Sequence, residues 1–159
     1  MKDIKKEIAE LRWEAMNGKQ VRHGDVAEDM HMMHNFYGAK NAMGNLSKDL
    51  LKEFLKFRLQ FIQEELNETT KALNEKDAEE IVDGLIDIVV VAVGTLDLYD
   101  VDFKKAWLQV LDANMNKEVG VKEERPNPFS LPDLIKPTLE SHGREWEAPC
   151  HKDLSLIHI

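Results

Sequence analysis

Apolar side chains recur every three to four residues through most of the first 118 positions, a period that predicts helices near 3–16, 25–37, 47–74, 77–99 and 102–118, followed by an irregular tail. In the third of these, Leu51, Phe54, Leu55, Leu59, Ile62 and Leu66 form one stripe with Lys and Glu elsewhere, so that face is expected to pack. The fourth, from Ile81 to Tyr99, is apolar around most of its circumference, which in a helix calls for burial on several sides. Its run 88–93 has the β-branched content of a strand, but the pattern is long and only Gly84 and Gly94 interrupt it, which favours a helix. Ser47, Asp77 and Asp102 stand where N-caps are needed, and Glu80 three residues after Asp77 makes a capping-box variant. All five prolines lie after residue 125, leaving the earlier helices uninterrupted. Connections as short as 74–76 make antiparallel neighbours, so the expected fold is an all-α bundle.

Charge changes this picture more than composition does. The 159 residues hold 30 acidic and 21 basic side chains, a net charge of −9, with 43% apolar residues, as one ordinary globular domain does. The stretch 60–102 contains twelve Asp and Glu against Lys71 and Lys76, a net −10, and the remainder sums to about +1. Such a chain repels phosphate backbones, so non-specific nucleic-acid binding is excluded and a cation site becomes the first thing to seek. Cys150 is the single cysteine and cannot close an internal disulfide, which makes a reducing cytoplasm the default location. The N-terminus has no apolar targeting region, and the longest apolar run falls far short of the roughly 20 residues a membrane-spanning helix needs.

The acidic excess is patterned. Glu65 and Glu68 are three apart, as are Glu80 and Asp83, with Asp87 four further on, so each set forms a stripe on its helix and the two stripes face each other if the helices form a hairpin. Glu80, Asp83 and Asp87 share their helix with Ile81, Val82, Leu85, Ile86, Ile88 and Val89, which requires some of them to be partly buried. Two carboxylates about 4 Å apart repel by roughly 4 kcal/mol at an effective dielectric of 20. Such a cluster must protonate, stay apart or find cations, and no Lys or Arg lies between Lys76 and Lys104. A divalent metal is the economical solution, and all-oxygen ligation suits Mg²⁺ or Mn²⁺. Isolated acid pairs are common on helix surfaces; two pairs on consecutive helices, one of them otherwise apolar, are not.

The segments Phe61-Ile62-Gln63-Glu64-Glu65-Leu66-Asn67-Glu68 and Glu79-Glu80-Ile81-Val82-Asp83-Gly84-Leu85-Ile86-Asp87 resemble the ExxE…ExxD signature of the MazG-like all-α nucleoside triphosphate pyrophosphohydrolases, a superfamily that includes phosphoribosyl-ATP pyrophosphohydrolase and dimeric dUTPase. Asn114-Met115-Asn116-Lys117 resembles the Asn-x-x-Lys that often ends the next helix in these proteins. The resemblance covers about residues 54–118, and the tail from Arg125 to Pro137, with Trp146 and His151 later, is similar to tails of phage-encoded members. Eleven residues separate Glu68 from Glu80, at the short edge of the family's spacing, which leaves a tight turn but an intact register.

The resemblance implies that Glu65, Glu68, Glu80 and Asp83 hold Mg²⁺, with Mn²⁺ as the substitute, bridging the phosphates of a nucleotide. It implies attack by water at the α–β linkage, releasing a monophosphate and pyrophosphate. Asp87 then completes a second metal's shell, orients the water or supports the ligands from outside, and Asn114 and Lys117 contact phosphate or sugar. The substrate is a nucleoside triphosphate, a deoxynucleotide included, or phosphoribosyl-ATP.

Other signals carry less. Glu28-x-x-His31 with His34 has metal-ligand spacing, but a di-iron bundle needs two such motifs and the chain has one, so His31 and His34 read as surface or core-edge residues. There is no P-loop and no Gly-rich dinucleotide turn. The apolar ending 154–159 has no structural logic and matches one reading frame of a common sequencing adaptor, so those six residues are expected to be an assembly artefact. The organisation expected is a helical domain over 1–120 with its core at 47–118, then an extended tail over 121–153. A homodimer or higher homo-oligomer is expected, because a helix as apolar as 77–99 needs more cover than one chain supplies. The competing reading is a non-catalytic helical interaction protein with a metal-stabilised acidic face.

Overall fold

The structure, a computed structural model, describes residues 25–152 apart from 126, 130, 132 and 144. The predicted helix at 3–16 and the ending 154–159 lie outside the described residues. Six helices and one two-stranded ladder are present among those described: α1 Val26–Phe36, α2 Ala39–Met43, α3 Lys48–Glu75, α4 Ala78–Leu98, α5 Phe103–Met115, β1 Glu118–Val119, β2 Leu134–Ile135 and α6 Leu139–His142. No helix among the described residues is long and apolar enough to cross a membrane.

The expected caps form. Ser47 accepts the Leu50 N–H at 3.3 Å, Asp77 the Glu80 N–H at 3.1 Å and Asp102 the Lys105 N–H at 3.0 Å, each satisfying a backbone donor that its helix leaves open. The segment 88–93 is helical, within α4. Between α3 and α4 the chain turns on Lys76, in the left-handed region at φ 61°, and the N-cap Asp77, which is the tight hairpin that the spacing of the acids implied. The last predicted helix ends at Met115 rather than at 118.

The α3–α4 pair forms the spine of the fold, and α1 lies against α4. Leu98, Tyr99 and Met43 form the buried cluster at one end of the hairpin, with Leu51, Phe54, Leu55 and Val101 against it. The Tyr99 hydroxyl donates to the Leu51 carbonyl, tying the end of α4 to the start of α3. Further along α3 the predicted stripe splits. Ile62 stays with the packed side, whereas Leu59 and Leu66 are exposed within the single chain, because the α4-facing line runs through Arg58, Ile62, Glu65, Thr69 and Ala72 instead. On α4, Val82, Leu85, Ile86 and Val89 are also exposed, so the burial on several sides expected of this helix is not achieved by one chain.

A polar latch joins α1 and α2 to the end of α4. His31 Nδ1 and His34 Nδ1 stand 2.8 and 2.7 Å from the two carboxylate oxygens of Asp97, and Lys40 donates to the Asp97 carbonyl and to Asp100. His34 is buried and His31 exposed, while Glu28 pairs with Lys104 at 2.6 Å, so the Glu-x-x-His spacing builds no metal site. Burial pushes the Asp97 pKa up, but the hydrogen bonds from His34 and His31 and the charge of Lys40 outweigh it and hold the carboxyl below its usual range. A depressed folded-state pKa gives stability that is present above the unfolded value and lost as pH falls through the folded one. Asp97→Asn is therefore expected to cost about 1–3 kcal/mol at pH 7 and to flatten the loss of stability below about pH 4. Thermal unfolding over a pH series checks this, and parallel curves for the two proteins would contradict it.

Candidate active site

One turn of α3 and two of α4 position the carboxylates. Glu65 is half-buried because it lies on the line of α3 that meets α4, between Ile62 and Thr69. The Thr69 hydroxyl donates to the Glu65 carbonyl at 2.7 Å, which folds the threonine back on its own helix and brings its side chain against Gly84. A Cβ at Gly84 would stand 2.3 Å from Thr69 Oγ1 and 3.3 Å from Thr69 Cβ, so this glycine sets how closely the two helices approach beside the acids. On α4, Asp87 is half-buried on the side that carries Gly84 and Val91, and Glu80 and Asp83 are exposed. Glu68 is exposed on α3.

Electrostatics show which acids share a field. The Glu65 pKa is raised, first by desolvation, then by the negative charges of Asp87, Glu68, Glu64 and Asp83. Carboxylates of both helices thus act on one group, Asp87 and Asp83 from α4 and Glu68 and Glu64 from α3. None of Glu65, Glu68, Glu80, Asp83 and Asp87 makes a side-chain hydrogen bond or ion pair among the described residues. No three His, Cys, Asp or Glu side chains among the described residues stand grouped closely enough to hold a metal ion as placed. The donor set is nonetheless that of a hard divalent cation: carboxylate oxygens on two facing helices, mutually repelling and without an ion-pair partner among the described residues.

Asn114 and Lys117 are brought to each other. Lys117 Nζ donates to Asn114 Oδ1 at 2.7 Å, and the tail covers the pair: Trp146 Nε1 donates to the Ala113 carbonyl at 2.8 Å, with Lys117 and Lys136 over its ring at 5.7 and 4.8 Å. The tail is anchored rather than merely extended, since Glu118 pairs with Ile135 and Val119 with Leu134 in an antiparallel ladder. Sequence reasoning missed Arg58, whose Nε donates to Thr95 Oγ1 and whose Nη2 donates to the Val91 carbonyl, both at 3.0 Å. Its place seven residues before Glu65, on the same helical line, was the signal for it.

The family model described as phosphoribosyl-ATP pyrophosphohydrolase matches residues 45–114, under half of the chain but all of α3 and α4 and nearly all of α5. All five acids and Asn114 fall inside the match, and Lys117 lies three residues beyond it. No curated protein and no solved structure matches the chain at the similarity required. Residues 45–114 therefore form a domain of the phosphoribosyl-ATP pyrophosphohydrolase family, within the MazG-like superfamily, whose general activity is nucleotide pyrophosphohydrolysis with a divalent metal.

Proposed function

We propose that the protein is a Mg²⁺-dependent nucleotide pyrophosphohydrolase that adds water across the α–β phosphate linkage of a nucleoside triphosphate, a deoxynucleotide included, or of phosphoribosyl-ATP, giving a monophosphate and pyrophosphate. The observation that carries this reading is a set of five carboxylates on facing helices, without an ion-pair partner among the described residues, inside a domain of that family. Glu65, Glu68, Glu80 and Asp83 would hold the Mg²⁺, or Mn²⁺ in its place. The cation supplies neutralisation of the phosphate charge and a lowered pKa for the attacking water. Asp87, half-buried beside Gly84, would accept a hydrogen bond from the attacking water and orient it. Asn114 and Lys117 contact phosphate or sugar, the lysine leaving its Asn114 contact to do so. A panel of ribo- and deoxynucleoside triphosphates with phosphoribosyl-ATP, assayed for pyrophosphate with Mg²⁺ and with chelator, tests the reading. Release from at least one substrate, abolished by chelator, is expected; no release from any would leave the acidic face to a non-catalytic interaction protein.

The working unit is a homodimer or a higher homo-oligomer in this reading. Val82, Leu85 and Val89 on α4 continue into Trp107 and Leu108 on α5, and a groove of about 690 Å³ opens between the two helices. Val82 and Leu108 are each 62% exposed in the single chain, and contiguous apolar surface of this kind marks an interface. Light scattering on a sizing column is expected to give at least twice the chain mass, and Leu108→Asp to shift it toward one chain. A monomeric wild type would remove this part of the proposal.

A further inference from the structure

Arg58 is a cation fixed in place with no acid paired to it among the described residues. Its side chain is half-buried, its Nε and one Nη2 proton are committed to Thr95 Oγ1 and the Val91 carbonyl, and its guanidinium lies 5.7 Å from the Phe61 ring centre. No carboxylate pairs with it among the described residues, although acids outnumber bases by 30 to 21 in the chain. Burial disfavours the charged form of Arg58, and neutral oxygens offset that less well than an anion would. The two hydrogen bonds hold the plane of the fork, and the Nη1 amino group with one Nη2 proton makes no hydrogen bond among the described residues. Gly94 keeps the place open: a Cβ there would meet His34 Cε1 at 3.1 Å and Arg58 Nη2 at 3.5 Å.

Position ties this cation to the acids. Arg58 precedes Glu65 by seven residues on one line of α3, about 10 Å of helix rise, and its acceptor Val91 follows Asp87 by four residues on α4, about 6 Å. Glu65, Asp87 and the guanidinium, each half-buried, thus line one seam between α3 and α4, acid at one level and cation at the next. A triphosphate whose α–β linkage lies over the acids carries its terminal phosphate one linkage further along.

We propose that Arg58 binds the terminal phosphate of the substrate, the outer half of the leaving pyrophosphate, so that the site reads the length of the phosphate chain. This rests on the pyrophosphohydrolase reading above. A planar fork that is already oriented matches two phosphate oxygens and loses little freedom on binding. Arg58 also joins α3 to α4, so the test must separate binding from stability.

Dissociation constants of inorganic pyrophosphate and of a nucleoside monophosphate, each with Mg²⁺, are measured by calorimetry for the wild type and Arg58→Gln. Arg58→Gln is expected to weaken pyrophosphate by at least about tenfold and to leave the monophosphate within about twofold, since only the former reaches the guanidinium. Equal weakening of both, or of neither, would overturn the proposal and leave Arg58 a structural staple. Should Arg58→Gln fail to fold, an arginine-directed dicarbonyl reagent on the wild type, mapped by peptide mass, decides: Mg²⁺–pyrophosphate is expected to protect Arg58 and the monophosphate is not. Equal labelling in the two would overturn it. Pyrophosphate release by the same wild-type preparation separates the two levels, because a protein that turns over nucleotides but fails the Arg58 tests loses this inference alone.

Discussion

Glu65→Gln and Asp83→Asn are each expected to lower kcat/KM for the nucleotide by about a thousandfold, because removing one ligand from a charge-neutralising cation costs several kcal/mol of transition-state stabilisation. The stability of the metal-free protein should move the other way for Glu65. Its pKa is raised by desolvation and by the charges of Asp87, Glu68, Glu64 and Asp83. A carboxyl with a raised folded-state pKa contributes stability that is full below the unfolded value and lost as pH rises through the folded one. At pH 7, without metal, Gln at this position removes that repulsion, so Glu65→Gln should melt above the wild type, and the difference should vanish below about pH 4. Mg²⁺ should raise the wild-type melting temperature and leave Glu65→Gln nearly unmoved, as a ligand stabilises only what binds it. An inactive variant that is also less stable than the wild type without metal would point to damage rather than to a lost ligand.

Gly84→Ala is the second substitution with a large expected effect. The added methyl would stand 2.3 Å from Thr69 Oγ1, and the threonine cannot yield freely because its hydroxyl is bound to the Glu65 carbonyl. Overpacking of this kind costs about 1–3 kcal/mol, partly offset by the better helix propensity of alanine. Because the clash lies between Glu65 on one helix and Asp83 and Asp87 on the other, separation of α3 from α4 should also lower kcat/KM by about tenfold to a hundredfold. Thr69→Ala in the same chain removes the obstructing hydroxyl and is expected to recover most of both losses. Additive losses in the double variant, measured by denaturation and turnover, would show that the contact is not what Gly84 serves.

What the sequence made legible follows from which forces are local. Caps at Ser47, Asp77 and Asp102 are set by side chains within three residues of the groups they satisfy, and all three form. The hairpin follows from helical period and a short turn, and α3 and α4 form it; of the acids, Asp87, Glu68, Glu64 and Asp83 act on Glu65 across and along it. Tertiary choices were less visible. The stripe of α3 is expected to pack as one face, but the helix turns Arg58, Glu65 and Thr69 toward α4 and leaves Leu59 and Leu66 outside, because the side chains of Arg58 and Thr69 bond across and within the hairpin and so can occupy its seam. His31 and His34 had no partner in sight until the fold brought Asp97 to them across more than sixty residues. The anchoring of the tail by Trp146 depends likewise on a single carbonyl at Ala113, which no periodicity announces.

The central claim is that the α3–α4 carboxylates make this domain a metal-dependent pyrophosphohydrolase. Phosphorus NMR of a nucleoside triphosphate incubated with the wild-type protein tests it most directly, with Mg²⁺ in one sample and excess chelator in the other, and phosphoribosyl-ATP in a parallel pair. The account predicts that, for one of these substrates, monophosphate and pyrophosphate appear together in equal amounts with Mg²⁺ and that neither appears with chelator. Release of single inorganic phosphates, or intact substrate throughout in every Mg²⁺ sample, would contradict it.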